Sequence, residues 1–167
     1  MKSFFLLLCL MVGFPLALAA APASPAAPAK AFPFPYTMDD LDNGLRVVTV
    51  SLPYPDLVSF YAVVRAGSRN EVEPGKSGFA HFFEHMMFRG TPTLSPDEYN
   101  AIITKAGARQ NAYTTDDYTN YHITFAKEDL DTILKIESDR FQNLAYSVDA
   151  FKTESRAVLG EYNKNSA

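Results

Sequence analysis

The chain has 167 residues, of which 47% are hydrophobic and 13% aromatic. This is enough for one packed domain and too little for two of ordinary size. Its formal net charge is -4 and its basic residues form no runs, so it lacks the basic patch typical of nucleic-acid-binding proteins. We therefore expect a mildly acidic, single-domain protein that does not bind nucleic acid.

The N-terminus (residues 1–20) has the pattern of a secretory signal peptide. One lysine precedes an apolar run over residues 4–18, and we expect cleavage near Ala19 or Ala20. The run is shorter than the ~20 residues that a stable membrane span needs, and an uncleaved N-terminal anchor is the alternative. The only cysteine of the chain lies inside this segment, so the exported protein, periplasmic or secreted, is expected to contain no disulfide.

Residues 21–35 consist almost entirely of alanine and proline. Such a stretch has few backbone donors and no apolar periodicity, so we interpret it as an extended linker. The folded domain is then expected to cover residues 36–167.

Strand and turn signals begin this domain. Asn43-Gly44 favours a two-residue hairpin turn, because both central positions of a type I′ turn need positive φ. The turn joins predicted strands over residues 36–41 and 45–52. The β-branched and aromatic residues of 58–65 predict a third strand, and a polar loop then leads to a helix.

The most informative motif of the chain is an H-x-x-E-H sequence formed by His81, Glu84 and His85, the order known as the inverzincin signature. The sequence predicts a helix over 78–88 with Ser77 as its N-cap. Positions i and i+4 of a helix lie on one face, so the two histidines can bind one metal ion while the glutamate handles protons. Apolar residues surround this helix, and we expect it to be buried on most sides.

The rest of the chain alternates between helices and strands. The predicted elements are a helix that starts with a capping box at Ser95 and Glu98 and ends before Gly107, strands over 109–113 and 118–125, and helices over 127–143 and 148–163, the last with Ser147 as N-cap. This order predicts an α+β fold in which helical hairpins pack on a mostly antiparallel sheet.

A third metal ligand has to come from another part of the chain. Catalytic zinc usually takes three protein ligands and leaves the fourth position to water. The best candidates are Glu154 and Glu161 on the last predicted helix, which lie on the same face two turns apart. For the motif taken alone, a structural histidine pair without a metal is the alternative.

With these residues in place, the chain resembles the pitrilysin-like M16 zinc peptidases, which include insulin-degrading enzyme and the mitochondrial processing peptidase. Three further segments carry the resemblance: Ala66-Gly67-Ser68-Arg69, residues 86–91, and Gln110-Asn111-Ala112-Tyr113-Thr114. The resemblance implies that residues 36–167 form part of an M16-type N-terminal catalytic domain.

The resemblance also implies a role for each matching residue of the site. His81, His85 and Glu161 would bind one zinc ion per chain, and Glu84 would act as the general base on a zinc-activated water. Glu154 would support catalysis by orienting a ligand histidine or by tuning the charge of the site.

The substrate and the partner follow from the same resemblance. Asn111, Ala112 and Tyr113 would form a sheet edge to which an extended peptide substrate adds as a strand. Family members generally have a second half of similar fold, which this chain does not contain, so we expect it to need a second M16-like half or subunit. Two functions remain open: a zinc endopeptidase for extended peptides or small proteins, and a non-catalytic M16-like binding or assembly subunit or inactive fragment.

Other polar residues have simpler interpretations. Glu71 and Glu73, in the loop before the motif helix, are expected to be solvated. His122 shares a predicted strand face with Asn120 and Thr124, and we expect it to form hydrogen bonds rather than bind metal.

Overall fold

The computed structural model describes residues 32–165 of the chain. The predicted signal peptide and most of the predicted linker lie outside these residues. The described chain divides after Ser51 into two compact units. Within residues 32–165, no helix is both long enough and apolar enough to cross a membrane.

The first unit contains the predicted hairpin. Strands β1 (Tyr36–Asp40) and β2 (Arg46–Val50) pair in antiparallel register. The predicted turn type is wrong, however, because the N–H of Gly44 bonds to the carbonyl of Leu41 and the glycine alone has a positive φ, of 84°. The side chain of Asn43 instead accepts a hydrogen bond from the N–H of Leu45 at 3.1 Å, so the asparagine stabilises a longer turn than the one predicted.

The second unit is built on a three-stranded antiparallel sheet with four helices. The strands are β3 (Leu57–Val64), β4 (Arg109–Thr114) and β5 (Thr119–Ala126), in the spatial order β3-β5-β4. The helices are α1 (Phe79–Met86), α2 (Pro96–Lys105), α3 (Leu130–Asn143) and α4 (Val148–Asn165). The predicted α+β fold with an antiparallel sheet is confirmed, and each predicted element is found within a few residues of its expected bounds.

The core lies between the central strand β5 and helices α2 and α3. Side chains alternate between the two faces of a strand, and Ile123 and Phe125 of β5 share the face that points into this core. Ile103 of α2 and Ile133 of α3 pack against them. This core fixes β5 and therefore the neighbouring strand β4, which borders the candidate site.

Helix α1, which carries the H-x-x-E-H motif, packs against β4 and α4. Met86 is fully buried, and the ring of Phe82 meets that of Phe151 on α4 edge-to-face, with centroids 4.9 Å apart. Phe79 and Phe83 are 50% and 48% exposed. The other six residues of α1 are buried or partly buried, so the helix is covered on most sides, as predicted, except along the strip formed by Phe79 and Phe83.

Local capping signals were reliable for two of the helices. The hydroxyl of Ser95 accepts a hydrogen bond from the N–H of Glu98 at 3.3 Å, and the carboxylate of Glu98 accepts one from the N–H of Ser95 at 2.9 Å. The hydroxyl of Ser147 accepts from the N–H of Ala150 at 3.1 Å, at the start of α4. Both predicted N-caps are confirmed.

The start of α1 is stabilised in another way. Its N-cap is Gly78, with a φ of 92°, and not Ser77 as predicted. The carboxylate of Glu71 accepts hydrogen bonds from the N–H groups of Gly78 and Ala80, at 2.5 and 2.6 Å. The first N–H groups of a helix need an acceptor and favour negative charge, so Glu71 caps α1 from the preceding loop. The expectation that Glu71 is merely solvated is wrong.

Candidate active site

Two histidines of α1 and one glutamate of α4 converge on a single point. His81 and His85 lie one helical turn apart, and their Nε2 atoms are 3.2 Å from each other. Oε2 of Glu161 lies 3.3 Å from Nε2 of His81 and 3.8 Å from Nε2 of His85. Zinc bonds of about 2.0–2.1 Å in a tetrahedron place ligand atoms roughly 3.3 Å apart. The donor types and their spacing therefore fit a zinc ion.

Glu154 lies outside this group of three. Its side chain is buried, and its Oε2 lies 2.9 Å from Nδ1 of His85, the ring nitrogen that faces away from His81. When Nδ1 carries the proton of the neutral ring, this contact leaves the lone pair of Nε2 directed at the point of convergence. Of the two roles expected for Glu154, the geometry favours orientation of His85.

Glu84 is half-buried on the same helix and is held by β4. Its Oε2 accepts a hydrogen bond of 2.6 Å from the hydroxyl of Thr114. The hydroxyl of Thr119, 3.3 Å from that of Thr114, donates to the carbonyl of Ala66 at 2.9 Å. Among the described residues no donor contacts Oε1 of Glu84, so one carboxylate oxygen is fixed and the other is available for proton transfer.

An open cleft of about 560 Å³ contains these groups and runs along β4. Its lining includes residues 112–114 of β4 together with His81, Glu84, His85 and Glu161. Strand β4 lies at the edge of its sheet, as predicted for a strand that accepts a peptide.

The three residues predicted to bind substrate lie on this edge strand. Asn111 and Tyr113 are exposed, and Ala112 is half-buried between them. The N–H of Ala112 donates to the side-chain oxygen of Asn111 at 3.0 Å. The carbonyl of an added strand could take the place of this side-chain oxygen as the acceptor for the N–H of Ala112.

A tight loop closes one end of the cleft. The N–H groups of Ser68 and Arg69 donate to the carbonyls of Thr115 and Asp116, at 3.2 and 2.8 Å, and the hydroxyl of Ser68 donates to the carboxylate of Asp116 at 2.7 Å. A Cβ on Gly67 would lie 2.3 Å from the carbonyl oxygen of Thr115. The close approach of the two loops therefore requires glycine at this position.

His122 lies apart from the candidate site, as expected. Its Nδ1 is 3.1 Å from the side-chain nitrogen of Asn120, and its ring stacks on that of Tyr61 with centroids 5.5 Å apart. Within residues 32–165, the one candidate metal group consists of His81, His85 and Glu161.

Sequence reasoning missed three side chains that support the site, namely Glu71, Arg89 and Thr114. The position of Thr114 could have been predicted from the sequence, because residues two apart in a strand share a face and Thr114 lies with Ala112 on the face of β4 that meets α1. Glu71 and Arg89 act across loops, and no spacing in the sequence indicates their partners.

The titration of one buried residue near the site is perturbed. Burial raises the pKa of Tyr121 on β5 to about 12, an effect that the charge of Arg140 opposes and that of Glu84 increases. The hydroxyl of Tyr121 therefore stays protonated throughout the physiological pH range.

Comparison with known proteins finds a matching family. A model of the family described as insulinase (peptidase family M16) matches residues 46–167. An uncharacterized zinc protease of Rickettsia bellii is 33% identical over 126 residues, which are 75% of this chain and 30% of the relative. The mitochondrial-processing peptidase subunit beta of Lentinula edodes is 34% identical over 76% of this chain and 27% of its own length.

A solved structure shares the fold as well as the sequence. The crystal structure of a protease from Helicobacter pylori aligns with a TM-score of 0.72 at 34% identity, over 77% of this chain and 30% of that one. The present chain thus spans less than a third of the length of each of these relatives.

Proposed function

This chain belongs to the M16 peptidase family, and on that premise we propose that it is the zinc-binding catalytic part of an endopeptidase that hydrolyses extended peptides. One observation carries the proposal: Nε2 of His81, Nε2 of His85 and Oε2 of Glu161 converge beside the carboxylate of Glu84. A structural histidine pair would not require a third donor at this spacing or a carboxylate facing an open cleft.

His81, His85 and Glu161 would hold one zinc ion per chain. When bound there, zinc supplies Lewis acidity, which polarises the carbonyl of the scissile bond and makes a water molecule more acidic. The three side chains keep the ion at the wall of the cleft, where a peptide can reach it.

Glu84 acts as the general base. Its carboxylate accepts a proton from water as the water oxygen forms a bond to the scissile carbonyl carbon. It then gives the proton to the amine nitrogen as the carbon–nitrogen bond breaks, so that one water is consumed and two peptides leave. Proton transfer of this kind contributes roughly 10²–10⁴ in rate.

The edge of β4 binds the substrate through its backbone. An unpaired strand edge offers N–H and C=O groups to any extended peptide, whatever its side chains. Ala112 and Glu84 line the same cleft, so a peptide paired with residues 111–113 would lie close to the general base. The substrate class is therefore extended peptides or unfolded segments.

A second M16-like half or subunit is part of the proposal. Phe79 and Phe83 of α1 are about half exposed, and they supply apolar surface that a second half would cover. One relative is itself named a subunit.

From the predicted signal peptide, we infer that the complete enzyme acts after export. N-terminal sequencing of the mature protein would test that inference, and a start at Met1 would contradict it.

The test couples zinc content to cleavage. We expect about one zinc per chain both in the wild type and in Glu84→Gln, because the substituted residue is not a ligand. Cleavage of an unstructured fluorogenic peptide should occur only in the wild type, and only when a second M16-like half is supplied. Glu73→Gln, at an exposed position of the preceding loop, is the matched control and should retain activity.

The alternative is a non-catalytic binding or assembly subunit. The exposed residues Phe79 and Phe83 of α1 fit this alternative as well as the endopeptidase, since either function needs a partner, so cleavage has to separate the two. In that case the wild type would bind zinc and peptide with the second half present, and cleave no faster than Glu84→Gln. Wild-type protein that remains free of zinc after refolding with excess metal would contradict the metal centre itself.

A further inference from the structure

Arg89 lies just beyond the end of α1, beside the candidate metal centre. Its backbone N–H donates to the carbonyl of Met86 at 2.9 Å, which keeps the residue close to the helix end. Its guanidinium bonds to Oε1 of Glu154. Among the described residues this carboxylate is the only hydrogen-bond partner of the Arg89 side chain, and Nε of Arg89 is buried without one. The side chain is thus directed at Glu154 alone.

Glu154 needs such a partner because of where it lies. Glu154 is 3% exposed, and a buried carboxylate is costly unless it is paired and hydrogen-bonded. Its two oxygens have different partners: Oε2 faces Nδ1 of His85, and Oε1 faces Arg89. A histidine that binds metal through Nε2 is neutral, so within residues 32–165 Arg89 is then the one cation in contact with Glu154.

Given the zinc centre proposed above, we propose that Arg89 is a positioning residue for it. The guanidinium holds Glu154 in place, and Glu154 fixes the ring of His85 with Nε2 directed toward His81 and Glu161. Arg89 does not touch the point where the three donor atoms converge, so its effect passes entirely through Glu154. Hydrogen-bond partners of this kind typically change metal affinity by about 10- to 100-fold.

A purely structural ion pair would behave differently from a positioning residue. It would contribute to the stability of the contact between α1 and α4 and leave the affinity of the folded site for metal unchanged. Zinc affinity therefore separates the two roles, and it can be measured on this chain without turnover.

The experiment measures zinc affinity by competition with a chromophoric chelator. We expect Arg89→Met, which keeps an unbranched apolar stem and loses the charged guanidinium, to bind zinc about 10- to 100-fold more weakly than the wild type. Arg89→Lys keeps the charge without the planar fork and should show a smaller loss. Arg46→Met is the matched control, since Arg46 forms an exposed pair with Asp40 on the hairpin, and its zinc affinity should equal that of the wild type.

A double substitution tests whether Arg89 acts through Glu154. In a Glu154→Gln background the buried group is neutral, so Arg89→Met should cause little further loss of zinc affinity. The visible spectrum of the cobalt-substituted protein should also change in Arg89→Met and be restored in part by Arg89→Lys, because it reports on ligand geometry.

The outcomes distinguish this inference from the proposed function. Folded Arg89→Met that binds zinc as tightly as the wild type, with the same cobalt spectrum, would overturn the role of Arg89 alone. An undiminished effect of Arg89→Met in the Glu154→Gln background would overturn it too. If Arg89→Met does not fold, Arg89→Lys decides, and wild-type affinity in that variant would also count against the role. A wild-type chain that binds no zinc would overturn both this inference and the metal centre.

Discussion

The hydroxyl of Thr114 donates a hydrogen bond of 2.6 Å to Oε2 of Glu84. Thr114 is the last residue of β4, the strand whose edge faces the cleft. One side chain therefore connects the proposed peptide-binding edge to the proposed general base. A peptide that pairs with β4 and the carboxylate that activates water are positioned by the same strand.

We expect Thr114→Val to lower kcat by about 10- to 100-fold in the zinc-loaded protein with its second half. The valine has the same shape but cannot donate, and a hydrogen bond to a charged group contributes about 1.5–3 kcal/mol. Steady-state cleavage of a peptide gives kcat and KM separately. KM and zinc content should change little, since Thr114 is not a proposed ligand.

Thr114→Ser is the matched control for this prediction. It keeps the hydroxyl, and most of the activity should remain. Wild-type kcat in Thr114→Val would show that the contact does not position Glu84.

Substitution of glycine by alanine should have opposite effects on stability at Gly67, where two loops approach closely at the end of the cleft, and at Gly160. In Gly67→Ala the new Cβ would lie 2.3 Å from a backbone carbonyl of Thr115, which cannot move without breaking the loop contacts. We expect a loss of about 1–3 kcal/mol in the free energy of unfolding, the usual cost of overpacking. Urea denaturation of the metal-free chain measures it.

Gly160→Ala is the control at the second glycine. Gly160 lies within α4, and a Cβ there would meet nothing within 4 Å. Alanine is favoured over glycine inside helices by roughly 0.5–1 kcal/mol, so this variant should gain stability. Equal changes in the two variants would contradict the clash at Gly67.

The features that could be predicted from the sequence are those in which cause and effect are close along the chain. The capping box at Ser95 was found because its donors and acceptors lie within four residues. The metal-ligand candidates His81 and His85 were placed together by helical periodicity alone. The choice of Glu161 as third ligand rested on the family resemblance, and the structure brings its carboxylate to the two histidines.

What the sequence did not reveal depends on contacts between distant segments. Glu71 caps α1 across a loop, so the nearer Ser77 was chosen wrongly. Arg89 reaches Glu154 on another helix, and no sequence period relates the two. The exposure of Phe79 could not be foreseen either, because hydrophobic residues all round a helix indicate burial without saying which chain supplies the cover.

The raised pKa of Tyr121 predicts a loss of stability at alkaline pH. The group titrates near 10 when unfolded and near 12 in the folded chain. Its contribution is fully present below pH 10, because both states are then protonated. Between about pH 10 and 12 the unfolded state loses its proton and the folded state does not, so the free energy of unfolding falls.

Tyr121→Phe removes this contribution to the pH dependence. Each unit of pKa difference corresponds to about 1.4 kcal/mol, so the wild type should lose up to roughly 2–3 kcal/mol more than the variant between pH 9 and 12. Urea unfolding at a series of pH values gives both curves. Parallel curves would contradict the assignment of the raised pKa to Tyr121.

A buried ion pair in the core gives the last prediction. Glu137 and Arg140 are 2% and 5% exposed and lie 2.5 Å apart. The guanidinium lies 4.6 to 5.5 Å from the centroids of four aromatic rings. Removing one partner leaves the other charge unpaired in the core, so Arg140→Met should lower the free energy of unfolding by about 3–5 kcal/mol.

Adding Glu137→Leu to Arg140→Met should recover most of that loss, because no charge then remains unpaired and the rings can pack on apolar side chains. Lys76→Met is the matched control, since Lys76 and Glu73 form a pair on the surface, where such pairs contribute less than about 1 kcal/mol. If the double variant were no more stable than Arg140→Met alone, the loss in the free energy of unfolding would come from the aromatic contacts of the guanidinium rather than from the unpaired carboxylate of Glu137.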